Sequence, residues 1–124
     1  MNYGAFTMLL GGDLTGEVEG AIRSKVGEVD VYKVHHHGSA TSSTASFLAK
    51  LKPGVSLISI GWDNSFGHPS ADTLARLRAI ESGVWLPQDK THPLGHVEVN
   101  VTSATGYTVG QGTATVDYTV KAGQ

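Results

Sequence analysis

At 124 residues and 40% hydrophobic composition, the chain is long enough to bury one core and too short to suggest two, so we predict a single domain over residues 1–124. Only 16% of the residues are charged and the formal net charge is −2, which argues against nucleic acid as a partner because no basic surface would hold its phosphates. The sequence has no cysteine, which excludes disulfides, thiolate metal sites and a cysteine nucleophile. Any metal must therefore be bound by oxygen and imidazole.

The beginning of the sequence lacks the basic region, apolar run and small-residue cleavage site of a signal peptide. No apolar stretch reaches the length that spans a bilayer. We therefore expect a cytoplasmic protein with no membrane partner.

The first predicted strand covers the apolar residues Phe6–Leu10 and ends in the sequence Gly-Gly-Asp, which places Asp13 at its tip. A short helix is predicted over residues 16–24, with Val18 and Ile22 on its inward face. Asp13 has two interpretations at this point. It is either a turn or helix-capping residue that follows two glycines, or a carboxylate that binds a metal.

A second predicted strand, residues 29–34, runs directly into His35, His36 and His37. Three adjacent histidines form either an exposed turn or a metal site. Their place inside the chain, between an apolar strand and a Gly-Ser turn, argues against a purification tag. Imidazole is the commonest metal ligand and titrates near neutrality, so we favour the functional interpretation.

A helix capped by Ser42 or Ser43 precedes a third predicted strand at residues 55–60. That strand leads into a loop with the sequence Gly-His-Pro around His68, and Ser70 then caps another helix. The inward-facing residues of this helix are predicted to be Leu74, Leu77 and Ile80. A histidine beside a proline is weak evidence for a ligand when taken alone, because such residues commonly form turns.

After residue 83 the sequence alternates with the period of two that is typical of strands, at residues 84–86, 97–101 and 115–120. We predict antiparallel strands here, with a glycine-rich hairpin near residues 106–112. Alternating strands and helices followed by a β-meander predict an α/β fold, a mixed sheet with helices on one face. Polar residues follow successive strands at the same edge, where open α/β sheets bind ligands.

Other candidates have less support. His92 and His96 are four residues apart, but a proline and a glycine between them exclude the helix that would pair them, and their role stays open. No P-loop or dinucleotide-binding glycine pattern follows the first strand. The Gly-x-Ser-x-Gly motif of serine esterases is not present in the sequence. A metal-free esterase that uses Ser39 with His37 is therefore the enzyme interpretation with the least support.

Three motifs in order resemble the metallo-β-lactamase superfamily and, within it, the hydrolase domain attached to bacterial competence DNA-uptake channel proteins. They are Leu-Leu-Gly-Gly-Asp at residues 9–13, the segment 30–39 that ends in His-His-Gly-Ser, and Asn-Ser-Phe-Gly-His-Pro at residues 64–69. The resemblance runs from about Tyr3 to at least Leu86, and the β-rich tail is similar in pattern only. The family's first half, with its His-x-His-x-Asp-His-type motif, has no counterpart here.

The resemblance implies the C-terminal half of an αββα sandwich, whose unpaired sheet face should be apolar and exposed. It implies that Asp13, His36, His37 and His68 are the residues for Zn²⁺ or Mn²⁺, and that Asp13, His36 and His37 are catalytic. The metal would lower the pKa of a bound water, and Asp13 would orient the resulting hydroxide. One of His36 and His37 would complete the ligand set with His68, and the other would protonate the leaving oxygen. Phosphodiesters or activated phosphotriesters are the implied small-molecule substrates.

Two copies of the chain could replace the two different halves of the family, so we predict a homodimer, to be checked by sedimentation at micromolar concentration. One alternative is a non-catalytic fragment that folds by association and merely retains its histidines. Another is a half-domain that assembles with a separate first half to rebuild a complete hydrolase.

Overall fold

The computed structural model describes residues 1–61, 63–87 and 93–121, and His92 lies outside them. The α-helices in these ranges are α1 (Gly16–Ile22), α2 (Ala45–Leu51) and α3 (Ala71–Ala79). Two 3-10 turns cover Arg23–Lys25 and His35–Gly38. The strands are β1 (Asn2–Tyr3), β2 (Phe6–Leu10), β3 (Val31–Lys33), β4 (Val55–Leu57), β5 (Gly83–Trp85), β6 (Val97–Val101), β7 (Gly106–Gln111) and β8 (Ala114–Thr119).

The first five strands form one sheet in the order β1-β2-β3-β4-β5. Strands β2 to β5 are parallel, and β1 pairs with β2 in the antiparallel direction at the edge. Each parallel connection carries a helix, as crossovers between parallel strands require. The prediction of an α/β fold with a mixed sheet and helices on one face is therefore confirmed.

The helices cover one face of this sheet. Phe47 and Leu51 from α2 and Leu77 from α3 are fully buried against Tyr32 and Val34 of the β3 region. Leu74, Ile80 and, from α1, Ile22 pack against the same cluster. Ser70 caps α3 as predicted, because its hydroxyl accepts a hydrogen bond from the Thr73 backbone N–H at 3.1 Å.

Strands β6, β7 and β8 form a separate antiparallel sheet that packs on the opposite face. Phe6, Val31 and Val55 of the first sheet are buried against Tyr107 and Val109 of β7. The prediction of an exposed apolar face is wrong, because the C-terminal strands cover the face themselves.

Several local predictions also need correction. β5 is parallel and belongs to the first sheet, so it is not part of the C-terminal antiparallel arrangement. The cap of α2 is Thr44 rather than Ser42 or Ser43. Residues 106–111 form strand β7, and the tight hairpin turn lies between Gln111 and Ala114. Within the residues given a structure, no helix is long and apolar enough to cross a membrane.

Candidate functional site

Three parallel strands deliver the predicted site residues to one edge of the sheet. Asp13 follows β2, the His35–Gly38 turn follows β3, and His68 lies in the loop between β4 and α3. Because β2, β3 and β4 are adjacent and parallel, their carboxyl ends lie side by side. This placement agrees with the prediction of a polar edge.

The histidine turn has an unusual backbone. His36 and His37 adopt left-handed conformations, with φ of 50° and 55°, and Gly38 follows with φ of 81°. Such angles are uncommon for residues that carry a Cβ and cost about 1–3 kcal/mol each. The turn is held by the His36 N–H, which donates to the carbonyl of Gly12 at 2.9 Å, and by the Ser39 N–H, which donates to the carbonyl of His36 at 2.9 Å. The surrounding structure thus imposes the conformation that aims these two imidazoles.

His37 presents one nitrogen to Asp13. Its Nδ1 donates a hydrogen bond to the carbonyl of Ser59 at 2.6 Å, which in the neutral ring leaves the lone pair on Nε2. That Nε2 lies 3.5 Å from Oδ1 of Asp13. The side chains are 47% and 67% exposed, so the pair is open to solvent. Two electron-pair donors thus face the same accessible point.

His36 and His68 form a second pair. Their ring centroids are 5.8 Å apart with an interplanar angle of 60°. Nδ1 of His36 is buried and, among the residues with described positions, has no hydrogen-bond partner. His68 also stacks on Phe66, whose side chain is 82% exposed, with ring centroids 5.9 Å apart.

An open cleft of about 220 Å³ adjoins these pairs, and His37, Asp63, Asn64, Phe66 and His68 are among its lining residues. No group of three His, Asp or Glu side chains in residues 1–61, 63–87 and 93–121 is close enough together to hold one metal ion. The four predicted ligands therefore form two pairs, Asp13 with His37 and His36 with His68, at the carboxyl edge of the parallel strands.

The histidine turn and the His68 loop are docked on each other through small residues. A Cβ on Gly38 would lie 2.6 Å from Cβ of Pro69. The Ser70 N–H donates to the carbonyl of Gly38 at 2.9 Å, and the Thr73 hydroxyl donates to the carbonyl of Ser39 at 3.0 Å. The positions of His36, His37 and His68 are consequently coupled.

His35 has a structural role that differs from that of its neighbours. Its ring is fully buried, and Nδ1 lies 2.8 Å from Oε1 of Glu19, which is also fully buried. The Ser43 and Thr44 N–H groups donate to the same carboxylate at 2.6 and 2.9 Å. A Cβ on Gly11 would lie only 2.0 Å from Nε2 of His35.

The ionisation of Glu19 reflects these contacts. Burial by itself raises its pKa, but the hydrogen bonds from His35, Thr44 and Ser43 together outweigh burial and lower the pKa below the ordinary value of 4.5. The sequence prediction missed Glu19 because it placed Val18 on the inward face of α1, whereas Val18 is 40% exposed. The signal lay in the spacing of Glu19 and Ile22, which are three residues apart and so share a helix face.

The remaining polar candidates lie outside the pairs. Ser39 hydrogen bonds to Thr41 through its hydroxyl at 3.0 Å, so the geometry provides no support for a Ser39 and His37 esterase. His96 is exposed and precedes β6 in the second sheet.

Comparison with known sequences gives three relatives. The chain is 34% identical over 97 residues to "Recombination protein 2" of Haemophilus influenzae, covering 78% of this chain and 12% of that protein. It is 35% identical over 80 residues to "ComE operon protein 3" of Bacillus subtilis, covering 63% of the chain and 10% of the protein. It is 34% identical over 79 residues to "Competence protein ComA" of Neisseria gonorrhoeae, covering 61% of the chain and 11% of the protein.

No family model matches the sequence. The chain spans only about a tenth of the length of each relative. The predicted likeness to competence proteins is confirmed at this level, and the metallo-β-lactamase assignment stays a prediction. The chain is thus a homologue of a short part of bacterial competence proteins.

Proposed function

We propose that the chain is the C-terminal half of a metallo-β-lactamase-type domain and a metal-dependent hydrolase of phosphodiesters or activated phosphotriesters. The observation that carries the proposal is the Asp13 and His37 pair, in which a carboxylate and an imidazole nitrogen face one accessible point at 3.5 Å. The carbonyl of Ser59 accepts a hydrogen bond from Nδ1 of His37 and so fixes the ring, as backbone carbonyls often do for the nitrogen of a metal-binding histidine that does not face the metal.

The ligand atoms, nitrogen and oxygen without sulfur, fit a divalent cation of intermediate softness. Imidazole and carboxylate without sulfur suit Zn²⁺ or Mn²⁺, and the buried Nδ1 of His36 is a polar atom that still lacks a partner in the described part of the chain. Asp13 and His37 would hold the ion. His68 would join them from the neighbouring loop by a rotation of its side chain on metal binding, since no three such side chains meet in the described residues. When bound, the metal would supply the Lewis acidity that lowers the pKa of water toward neutrality.

The chain's own residues would orient the ligands, protonate the leaving oxygen and admit the substrate. Because Nδ1 of His37 is occupied by Ser59, only its Nε2 can face a ligand. The ring of His36 is only partly buried and packs beside His68, with ring centroids 5.8 Å apart, which makes it the candidate to protonate the leaving oxygen. The open cleft along Phe66 and Asn64 would admit the ester.

The test combines metal content with turnover. The purified, tag-free protein is loaded with Zn²⁺ or Mn²⁺, analysed for bound metal, and assayed on bis(4-nitrophenyl) phosphate before and after chelation. We expect metal in near-stoichiometric amount and turnover that chelation abolishes. Asp13→Ala and His68→Ala should each lower metal affinity and turnover by at least about 100-fold, since the loss of a ligand costs more than the loss of a group that only orients a ligand.

Asp117→Ala is the matched control, since it removes an exposed carboxylate from β8 in the second sheet. It should leave metal content and turnover unchanged. Metal that binds equally well to the Asp13 and Asp117 variants, or turnover that survives chelation, would overturn the proposal.

The alternative is a half-domain that needs a second chain to complete its ligands. It is favoured by the absence of a three-residue ligand group in the described ranges. The second sheet already covers the apolar face, so a partner would be needed for ligands and not for burial.

A homodimer that completes the site should sediment as a dimer at micromolar concentration, with metal-dependent turnover that falls on dilution. A monomer by sedimentation that nevertheless shows chelator-sensitive turnover would contradict this arrangement. Turnover that arises only on mixing with a separate first-half chain would favour the two-chain assembly instead.

A further inference from the structure

One row of side chains crosses the parallel strands at the carboxyl edge and faces the second sheet. The strand registers align its members, which are Leu10, Lys33, Leu57 and Trp85. Two residues earlier on the same face, Val31 and Val55 are fully buried beneath the second sheet, whereas Leu10 is 54% exposed. The row therefore marks the place where the core between the sheets opens to solvent.

The opening is a cleft of about 260 Å³. Its apolar walls include Leu57, Trp85, Pro87 and Val97, and its cationic or titratable residues are Lys33 and His96. The indole of Trp85 is held in place because its Nε1–H donates to the hydroxyl of Tyr118 at 3.1 Å. A fixed aromatic wall beside a positive charge is a typical ligand environment.

Lys33 is the only charged member of the row. Within the described ranges no carboxylate lies within 4.0 Å of its ammonium, and its one hydrogen bond is a long contact of 3.5 Å to the carbonyl of Val34. Burial lowers the pKa of Lys33, and the nearby charge of Asp13 opposes this effect. A partly desolvated ammonium without a close counterion attracts anions.

We propose that this cleft binds an aryl phosphate, with the ammonium of Lys33 on the phosphate and the walls around Trp85 on the ring. The cleft borders the Asp13 and His37 pair, since Ser59 lines the cleft and its carbonyl holds His37. The inference rests on the proposed function and deepens it, because it names an aryl phosphate as the part of the substrate that would lie beside the Asp13 and His37 pair. Binding itself requires no metal, so it can be tested apart from hydrolysis.

The experiment titrates the full chain, in the presence of a chelator, with phenyl phosphate, inorganic phosphate and phenol by calorimetry. Phenyl phosphate should bind about tenfold more tightly than either fragment, because it uses both the charge and the apolar wall. Lys33→Gln should weaken phenyl phosphate binding about tenfold, which corresponds to one charge-assisted hydrogen bond. Lys33→Arg should bind within about threefold of the unaltered protein because the charge remains.

Lys50→Gln is the matched control, since Lys50 is exposed on α2 on the helical face. It should leave binding unchanged. In the unaltered protein, phenyl phosphate should shift the NMR signal of the Trp85 Nε1–H, which checks the location without any variant. Equal loss in the Lys33 and Lys50 variants, or shifts confined to the cleft at Phe66 and His68, would overturn the inference.

The two proposals can fail separately. Chelator-insensitive binding that depends on Lys33, in a protein without metal-dependent turnover, would uphold the aryl phosphate site and reject the hydrolase. Metal-dependent turnover in a protein that, without metal, does not bind phenyl phosphate would uphold the hydrolase and reject the aryl phosphate site.

Discussion

Replacing Glu19 by alanine should destabilise the fold by about 3–5 kcal/mol, the usual cost of removing one partner of a buried, hydrogen-bonded pair. The carboxylate is fully buried and accepts from His35 and from the backbone N–H groups of Ser43 and Thr44. Its loss leaves the buried His35 ring, the buried Ser43 N–H and the part-buried Thr44 N–H without this acceptor at once. Because small domains are stable by about 5–15 kcal/mol in total, denaturant unfolding should show a large shift of the midpoint.

Glu17→Ala is the control for this effect, since Glu17 is exposed in the first turn of the same helix. It should change the free energy of unfolding by no more than about 0.5 kcal/mol. Similar losses in the two variants would mean that α1 is merely sensitive to substitution and that the buried pair contributes little.

The same carboxylate predicts a pH dependence. The pKa of Glu19 is lower in the folded protein than its ordinary value of 4.5, so the folded state favours the ionised form. The resulting stabilisation is fully present above the ordinary pKa and is lost as the pH falls through the lower, folded pKa. The stability difference between the unaltered protein and Glu19→Gln should therefore shrink below about pH 4.5 and stay constant from there to neutrality.

The features of the fold that were predicted correctly are those encoded by local pattern. The apolar run Phe6–Leu10 is β2 with the same bounds, and Ser70 caps α3. Some errors are local, such as the cap of α2, which is Thr44, but the largest error concerns strand pairing, which a local pattern does not encode. Residues 84–86 alternate like any strand, and only the helix before them makes β5 a parallel neighbour of β4.

The sequence was sufficient to predict that the site residues lie at one edge of the sheet, but not how they are arranged there. Asp13, His36, His37 and His68 follow strands that are parallel, so their approach to one another follows from the topology. Their division into two pairs depends on the left-handed backbone at His36 and His37, which is uncommon even for histidine and so was not predicted. His35 is buried and structural because it pairs with Glu19, and the burial of Glu19 follows only from the tertiary fold.

Gly38→Ala should destabilise the protein by about 3 kcal/mol, because two costs fall on one residue. The φ of 81° is unfavourable for a residue with a side chain, at about 1–2 kcal/mol. The added Cβ would also lie 2.6 Å from Cβ of Pro69 and 3.1 Å from its Cα, where only a shift of backbone can make room. Overpacking of this kind costs about another 1–3 kcal/mol.

Gly67→Ala separates the two costs. Gly67 has a similar φ of 72°, but a Cβ there would meet no atom within 4 Å, so it should cost only the backbone part, about 1 kcal/mol. The difference between the two variants in denaturant unfolding measures how tightly the histidine turn is seated on the Pro69 loop. A large difference means that His36, His37 and His68 are held by one rigid contact, so Gly38→Ala should weaken metal binding without touching a ligand. Equal costs would mean that the two loops move independently, and the four predicted ligands would then lack the rigid support that a metal site needs.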